Sequence, residues 1–152
     1  MLCIICNDDV FDEDEINDPV GSLWGLATED YALVLADESV PAGRYARQLL
    51  KNLEALFGEG YAEKVLSHVV SNEPNVGQVL NKVALEADAG IVYASDMANF
   101  ATRYGYTLTI PDEYNVIAQY GVAVLPESQE PELAQQFVDF VVSEAGQAIL
   151  QT

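Results

Sequence analysis

Two rhythms of apolar and polar positions run along the chain. Met1 to Cys6, Tyr31 to Ala36 and Ala89 to Tyr93 are short, nearly uninterrupted apolar runs, and the later two are bounded by turn residues. Runs of that length predict buried strands. Arg44 to Phe57 follows the other rhythm, with Tyr45, Ala46, Leu49, Leu50, Leu53, Leu56 and Phe57 at helical spacing. Pro41 suits the first turn of that helix, where its missing N–H costs nothing, and Gly58 and Gly60 stop it. Further helices are predicted over Tyr61 to Leu66, from Asn75 through Ala84, over Ser95 to Phe100, Pro131 to Val142 and Ser143 to Leu150. Asn75 followed by Gln78 has the form of a capping box. Further strands are predicted around Val69 and Val70, over Tyr106 to Ile110 and over Gln119 to Leu125. Strands alternating with helices predict an α/β fold with a mostly parallel sheet flanked by helices.

Composition narrows the possibilities. A chain of 152 residues suits one domain or two small lobes, and its 50% hydrophobic content argues against disorder. Six basic against 25 acidic side chains (6 − 25) give a formal charge of −19. Nucleic acid is therefore not an expected partner, since phosphate binding needs clustered Lys and Arg. No run reaches the roughly 18 apolar residues of a membrane span. The first six residues lack the basic region and cleavage site of a signal peptide. Asn7 to Asp18 reads as a solvated acidic loop, because Asp12-Glu13-Asp14-Glu15 lacks the glycine and spacing of an EF-hand calcium loop.

Candidate catalytic chemistry is sparse. Cys3 and Cys6 form a CxxC, but they sit inside an apolar run, and no second pair of zinc ligands exists. The plain strand reading is favoured. His68 is the single histidine and lies in the apolar stretch Val65 to Val70, which suits an edge-strand residue better than a general base. No GxSxG, HExxH, P-loop or GxGxxG occurs. Carboxylate pairs carry little weight among so many acids. Nothing here calls for an enzyme, a cofactor or a resident metal.

Three segments share a different theme. Val40-Pro41-Ala42-Gly43-Arg44-Tyr45-Ala46 puts small residues at a turn leading into a helix, and Asn75-Val76-Gly77 does the same at a second helix. Unpaired N–H groups at such ends carry about half a positive charge in aggregate and hold anions. Ala89 to Tyr93 ends a strand on a tyrosine able to donate its hydroxyl. Taken singly, each segment has a plain reading: a helix start, an ordinary cap, a packed core tyrosine. Arg44 lies past the helix start, where pairing with an acid is the plain alternative to clamping an anion.

In these segments the sequence resembles the periplasmic molybdate-binding proteins of ABC transporters, within the type 2 solute-binding superfamily. Val40 to Ala46 is similar to that family's VPAGRYA segment, and Ala87 to Asp96 to its ADAGIVY segment and the acidic residue beyond. Tyr120 to Leu125 resembles a return strand, and Phe137 to Leu150 the closing helices; the likeness covers nearly the whole chain. It implies a type 2 periplasmic-binding-protein-like fold. Residues 1–7 would be a strand crossing from lobe one, 8–118 lobe two, and 119–152 a return strand and helices belonging to lobe one. It also implies that the backbone N–H groups of Ala42 and Val76 and the hydroxyl of Tyr93 contact a tetrahedral oxyanion, molybdate or tungstate. Pro41, Gly43, Asn75 and Gly77 would support them.

The same resemblance implies a non-enzymatic binding component of an importer, with a membrane permease as partner and a periplasmic or extracytoplasmic location. Family members begin with a signal sequence and an N-terminal segment that builds most of lobe one and supplies two serine-type contacts. That segment is absent here, so a truncated product or half of a split protein is expected, covered by the missing lobe or by a second copy. A sulfate or generic oxyanion receptor, the sensing domain of a regulator and a ligand-free oligomerising fragment are the alternatives.

Overall fold

The three apolar runs become neighbours in one sheet. The computed structural model describes residues 1–11, 14, 17–99 and 105–150. The chain divides into two compact units, 1–118 and 119–152. In the first, β1 (Leu2–Asn7), β2 (Leu33–Ala36), β3 (Val69–Glu73), β4 (Ala89–Tyr93) and β5 (Gly105–Leu108) form a sheet in the order β3-β2-β4-β1-β5. β2 pairs in parallel with β3 and with β4, whereas β1 is antiparallel to both β4 and β5. The sheet is thus mixed, with β1 running against the other described strands.

Helices cover both faces. α1 (Pro19–Thr28), α2 (Pro41–Phe57) and α3 (Tyr61–Ser67) share one cluster with Leu2, Ile4, Cys6, Leu33, Leu35 and Ile91. α4 (Val76–Leu85) covers the opposite face, where Val79 and Val83 pack with Cys3, Ile5, Val34 and Val92. The connectivity explains the split. The chain steps outward from β2 to β3 and then returns past β2 to β4. With crossovers of one hand, a reversal of direction places the two sets of connecting helices on opposite faces. Burial on both faces makes β1, β2 and β4 read as continuous apolar runs.

α1 is an element the hydrophobic pattern did not announce. Its cap is ordinary, with Asp18 accepting from the Gly21 N–H at 3.1 Å and Pro19 in the first turn. Two glycines and apolar residues on several sides blur its periodicity: Leu23 and Leu26 are buried, whereas Val20 and Trp24 are exposed. The acidic segment before it falls partly outside the described residues, at 12, 13, 15 and 16. A 3-10 helix covers Ala94–Asn99, and Phe100 lies outside the described residues.

The second unit carries α5 (Pro131–Val142) and α6 (Glu144–Leu150). Ser143 joins them, its hydroxyl accepting from the Gly146 N–H at 3.2 Å. The strand expected over Gln119 to Leu125 is corrected: this stretch has no ladder, and Tyr120 and Leu125 are exposed. A strand needs a paired neighbour, and among the described residues none lies beside it. α5 buries none of its residues, leaving Leu133, Phe137, Phe140 and Val142 exposed.

Candidate oxyanion site

The site begins where parallel strands end. α2 and α4 start just beyond the carboxyl ends of the adjacent strands β2 and β3, and Tyr93 is the last residue of β4, parallel to β2. Crevices outside the carboxyl ends of parallel strands are the usual ligand positions in open α/β sheets. Ala42 is buried, and Val40, Val76 and Tyr93 pack against the same cluster that holds it. Ala42, Val76 and Tyr93 thus lie at the carboxyl ends of three neighbouring strands, β2, β3 and β4, with Tyr93 packing against the clusters on both faces, although 17 residues separate even the nearest pair in sequence (93 − 76).

The first turns of both helices leave donors open. Val40 caps α2 in an extended conformation with no side-chain hydrogen bond, and Pro41 has no N–H to offer. The first main-chain bond of the helix runs from the Arg44 N–H to the Val40 carbonyl at 3.2 Å. The N–H groups of Ala42 and Gly43 thus have no acceptor among the described residues. At α4, the Asn75 side chain accepts from the Gln78 N–H at 3.0 Å. That cap satisfies the third helical donor and leaves Val76 and Gly77 without acceptors among the described residues. Uncapped N–H groups at two helix ends suit an anion and offer nothing to a cation.

Gly43 is needed for close approach. A Cβ there would lie 2.0 Å from the Asp37 carbonyl oxygen and 2.4 Å from that of Ala36, so α2 is pressed onto the end of β2. Arg47 fastens the same place. Its guanidinium donates to the carbonyls of Ala36 at 3.1 Å and Gly43 at 2.9 Å, and to Asn72 Oδ1 at 2.7 Å. The Asp37 N–H adds a bond to the Glu73 carbonyl at 2.7 Å, tying β2 to β3 where both end. Sequence reasoning missed Arg47, because nothing local marks an arginine whose partners lie on two strands. Arg44 resolves differently from both of its earlier readings: it donates to the carbonyls of Ser39 at 2.8 Å and Glu38 at 3.5 Å, bracing the β2–α2 turn.

Nearby carboxyl groups are shifted from their ordinary pKa values in both directions. The hydroxyl and N–H of Ser39 hold the Asp37 carboxyl below the usual carboxylate range. Glu73 is buried at the end of β3, and the Ser71 hydroxyl together with the Lys82 ammonium, 3.2 Å away, lowers its pKa. Asp96 goes the other way. Burial raises its pKa, and its Oδ2 has no partner among the described residues. Tyr93 is half-buried, its ring edge-on to Tyr45 with centroids 6.5 Å apart. An open groove of about 650 Å³ flanks α2, lined by Asp37, Glu38, Ser39, Arg44, Arg47, Gln48 and Lys51, and none of the three predicted contact residues lines it.

The cysteines sit on opposite faces of β1, because three residues is an odd step along a strand. Both are buried and neither forms a disulfide, and burial pushes the Cys3 thiol up to about 12. His68 ends α3 and its Nδ1 lies 3.0 Å from the Leu26 carbonyl, a structural contact just before the edge strand β3. Among the described residues no cluster of His, Cys, Asp or Glu fits a metal ion, and no helix is long and apolar enough to cross a membrane.

Comparison with known proteins agrees with this architecture. Residues 2–152 match the family described as "Bacterial extracellular solute-binding protein". The molybdate-binding proteins ModA of Mycobacterium bovis and Mycobacterium tuberculosis are 36% identical over 132 residues, which is 86% of this chain and 46% of theirs. The chain thus spans about half the length of those relatives. Among solved structures, Peb3 of Campylobacter jejuni superposes with a TM-score of 0.62 at 17% identity, over 99% of this chain and 62% of that one. Iron-bound HitA of Pseudomonas aeruginosa gives 0.60 at 22%, over 97% and 50%. These two show the fold alone. Mixed sheet, helices on both faces and a sequence match over nearly every residue lead to one conclusion: the chain belongs to the bacterial extracellular solute-binding proteins, a family of binding components rather than enzymes.

Proposed function

We propose that this chain binds a tetrahedral oxyanion, molybdate or tungstate, through the backbone N–H groups of Ala42 and Val76 and the hydroxyl of Tyr93. Pro41, Gly43, Asn75 and Gly77 shape the two helix starts around it. The observation that carries this reading is the pair of helix N-termini at adjacent strand ends, each with two N–H groups lacking an acceptor among the described residues. The likeness to molybdate-binding relatives supports the choice of anion. The anion is cargo, not a cofactor.

A site made only of donors discriminates by protonation. Molybdate, tungstate and sulfate are full dianions near neutral pH and accept every bond. Hydrogen phosphate carries a proton that would be buried without an acceptor, at a cost of about 1–3 kcal/mol. Size then separates molybdate from sulfate. The formal charge of −19 slows anion entry at low salt and matters less once screening shortens its reach to about 8 Å.

In this reading the chain delivers its anion to the membrane permease of an ABC importer outside the cytoplasm. Residues 1–7 cross from lobe one, 8–118 form lobe two, and 119–152 belong to lobe one. The exposed apolar face of α5 supports this division, because a lobe or a second copy would cover it. The test is a backbone amide NMR titration with molybdate, using sulfate and phosphate as controls. Shifts concentrated at Ala42, Gly43, Val76 and Gly77 are expected with molybdate and not with phosphate. Tyr93→Phe should weaken binding roughly tenfold, the worth of one hydrogen bond to an anion. Equal shifts with sulfate would make the chain a general dianion receptor. Spectra unchanged at millimolar molybdate would overturn the reading.

A further inference from the structure

The chain leaves its first unit through a side chain that imitates a strand. β5 ends at Leu108, paired with Ile4, so the next rung of the ladder on β1 belongs to Leu2. Pro111 has no N–H with which to extend the strand. Asn115 supplies the rung instead. Its Oδ1 accepts from the Leu2 N–H at 2.9 Å, and its Nδ2 donates to the Leu2 carbonyl at 2.9 Å. The same Oδ1 accepts from the Val116 N–H at 2.7 Å. A second amide acts one residue earlier. Asn52 of α2 donates to the Tyr114 carbonyl at 3.0 Å, and Gln48 orients Asn52 through a bond of 2.8 Å. Beyond Val116 the anchoring stops: residues 117–124 donate and accept no hydrogen bond among the described residues, and Ile117 is exposed.

We propose that Asn115, backed by Asn52, is a latch that fixes where the chain leaves the first unit, so that rotation of the segment leading to the second unit is confined to the bonds after Val116. Two amides do this because an amide side chain presents a donor and an acceptor in the same relation as a peptide group. The latch binds Leu2 on β1 and α2 to one short stretch, so the start of the chain and the helix carrying Ala42 share one fixed exit point. No ligand is required for it to act.

Hydrogen exchange on the whole chain without ligand tests this. The Val116 amide should exchange much more slowly than those of Ile117 and Gln119. Asn115→Ala should speed Val116 and Leu2 by roughly tenfold or more, as loss of their acceptor implies, while Ile4 and Ile5 stay protected. Unchanged exchange at Val116 in that variant would overturn the latch, as would equal protection running on through Gln119. Asn52→Ala leaves Asn115 in place and provides a second measure by limited chymotrypsin digestion. The native chain should be cut after exposed Tyr120 and resist cutting after Tyr114, and the variant should be cut at both. Cutting after Tyr114 in the native chain, or no gain in the variant, would also refute the proposal.

Discussion

Adding one methyl group at Gly43 should move the start of α2, and the packing fixes both sign and size. The new Cβ would stand 2.0 Å and 2.4 Å from the carbonyl oxygens of Asp37 and Ala36. Neither oxygen is the end of a flexible side chain. The Ala36 carbonyl is held by Arg47 at 3.1 Å, and the Asp37 carbonyl accepts from the Val40 N–H at 3.1 Å. Overpacking costs about 1–3 kcal/mol where neighbours can yield, and here they are main chain, so the upper end applies. Alanine returns about 1 kcal/mol through its helix propensity. The net loss for Gly43→Ala is about 2 kcal/mol, or roughly 8 °C in Tm for a unit of this size. Gly77 is the matched control. It offers the same kind of N–H at the start of α4, yet the nearest atom to its Cβ is Asn75 Oδ1 at 3.3 Å. Gly77→Ala should keep Tm or raise it by a few degrees. Circular dichroism melts, with Trp24 fluorescence as a second probe, read both variants. A Gly43→Ala melt within 2 °C or so of the native chain, against the loss of roughly 8 °C, would refute the reasoning. So would two variants shifting alike.

Other expectations follow from the same contacts. Asn75→Ala removes the cap of α4 and should cost about 1 kcal/mol, read by urea denaturation; an unchanged midpoint would count against the cap. Neither Cys3 nor Cys6 should react with an aromatic disulfide reagent at pH 8 until urea is added, and one fast thiol in the native chain would contradict their burial. Asp96 and Glu73 should respond to pH with opposite signs. Burial raises the Asp96 pKa, so its carboxyl favours the folded state at acid pH and loses that advantage as pH rises above 3.8; Asp96→Asn should gain more Tm at pH 7 than at pH 3. The Ser71 hydroxyl and Lys82 lower the Glu73 pKa, a contribution present above 4.5 and lost as pH falls; Glu73→Gln should lose Tm at pH 7 and little at pH 3. Equal shifts at both pH values would contradict either assignment.

Much of the candidate site is legible locally because its parts are helix starts. The Asn75 cap on Gln78, the proline opening α2 and the glycine at its end all lie where residue chemistry places them. Less legible is what holds those starts together. Arg47 reaches Ala36 and Asn72 on two strands, and Tyr93 on β4 meets Tyr45 on α2. α1 escaped notice because its apolar residues point both inward and outward, and the stretch 119–125 misled because an apolar run signals a strand only if a neighbour accepts its hydrogen bonds.

By itself, then, the sequence determined the periods, caps and stops of most elements, since these depend on contacts within a few residues. Tertiary structure alone decided that β1 inserts between β4 and β5 and runs against them. It also decided that an asparagine 113 positions from Leu2 completes its ladder. The reason is physical. Burial and propensity are written residue by residue, whereas the choice of a strand's partner is settled only when distant segments compete to satisfy the same main-chain donors and acceptors.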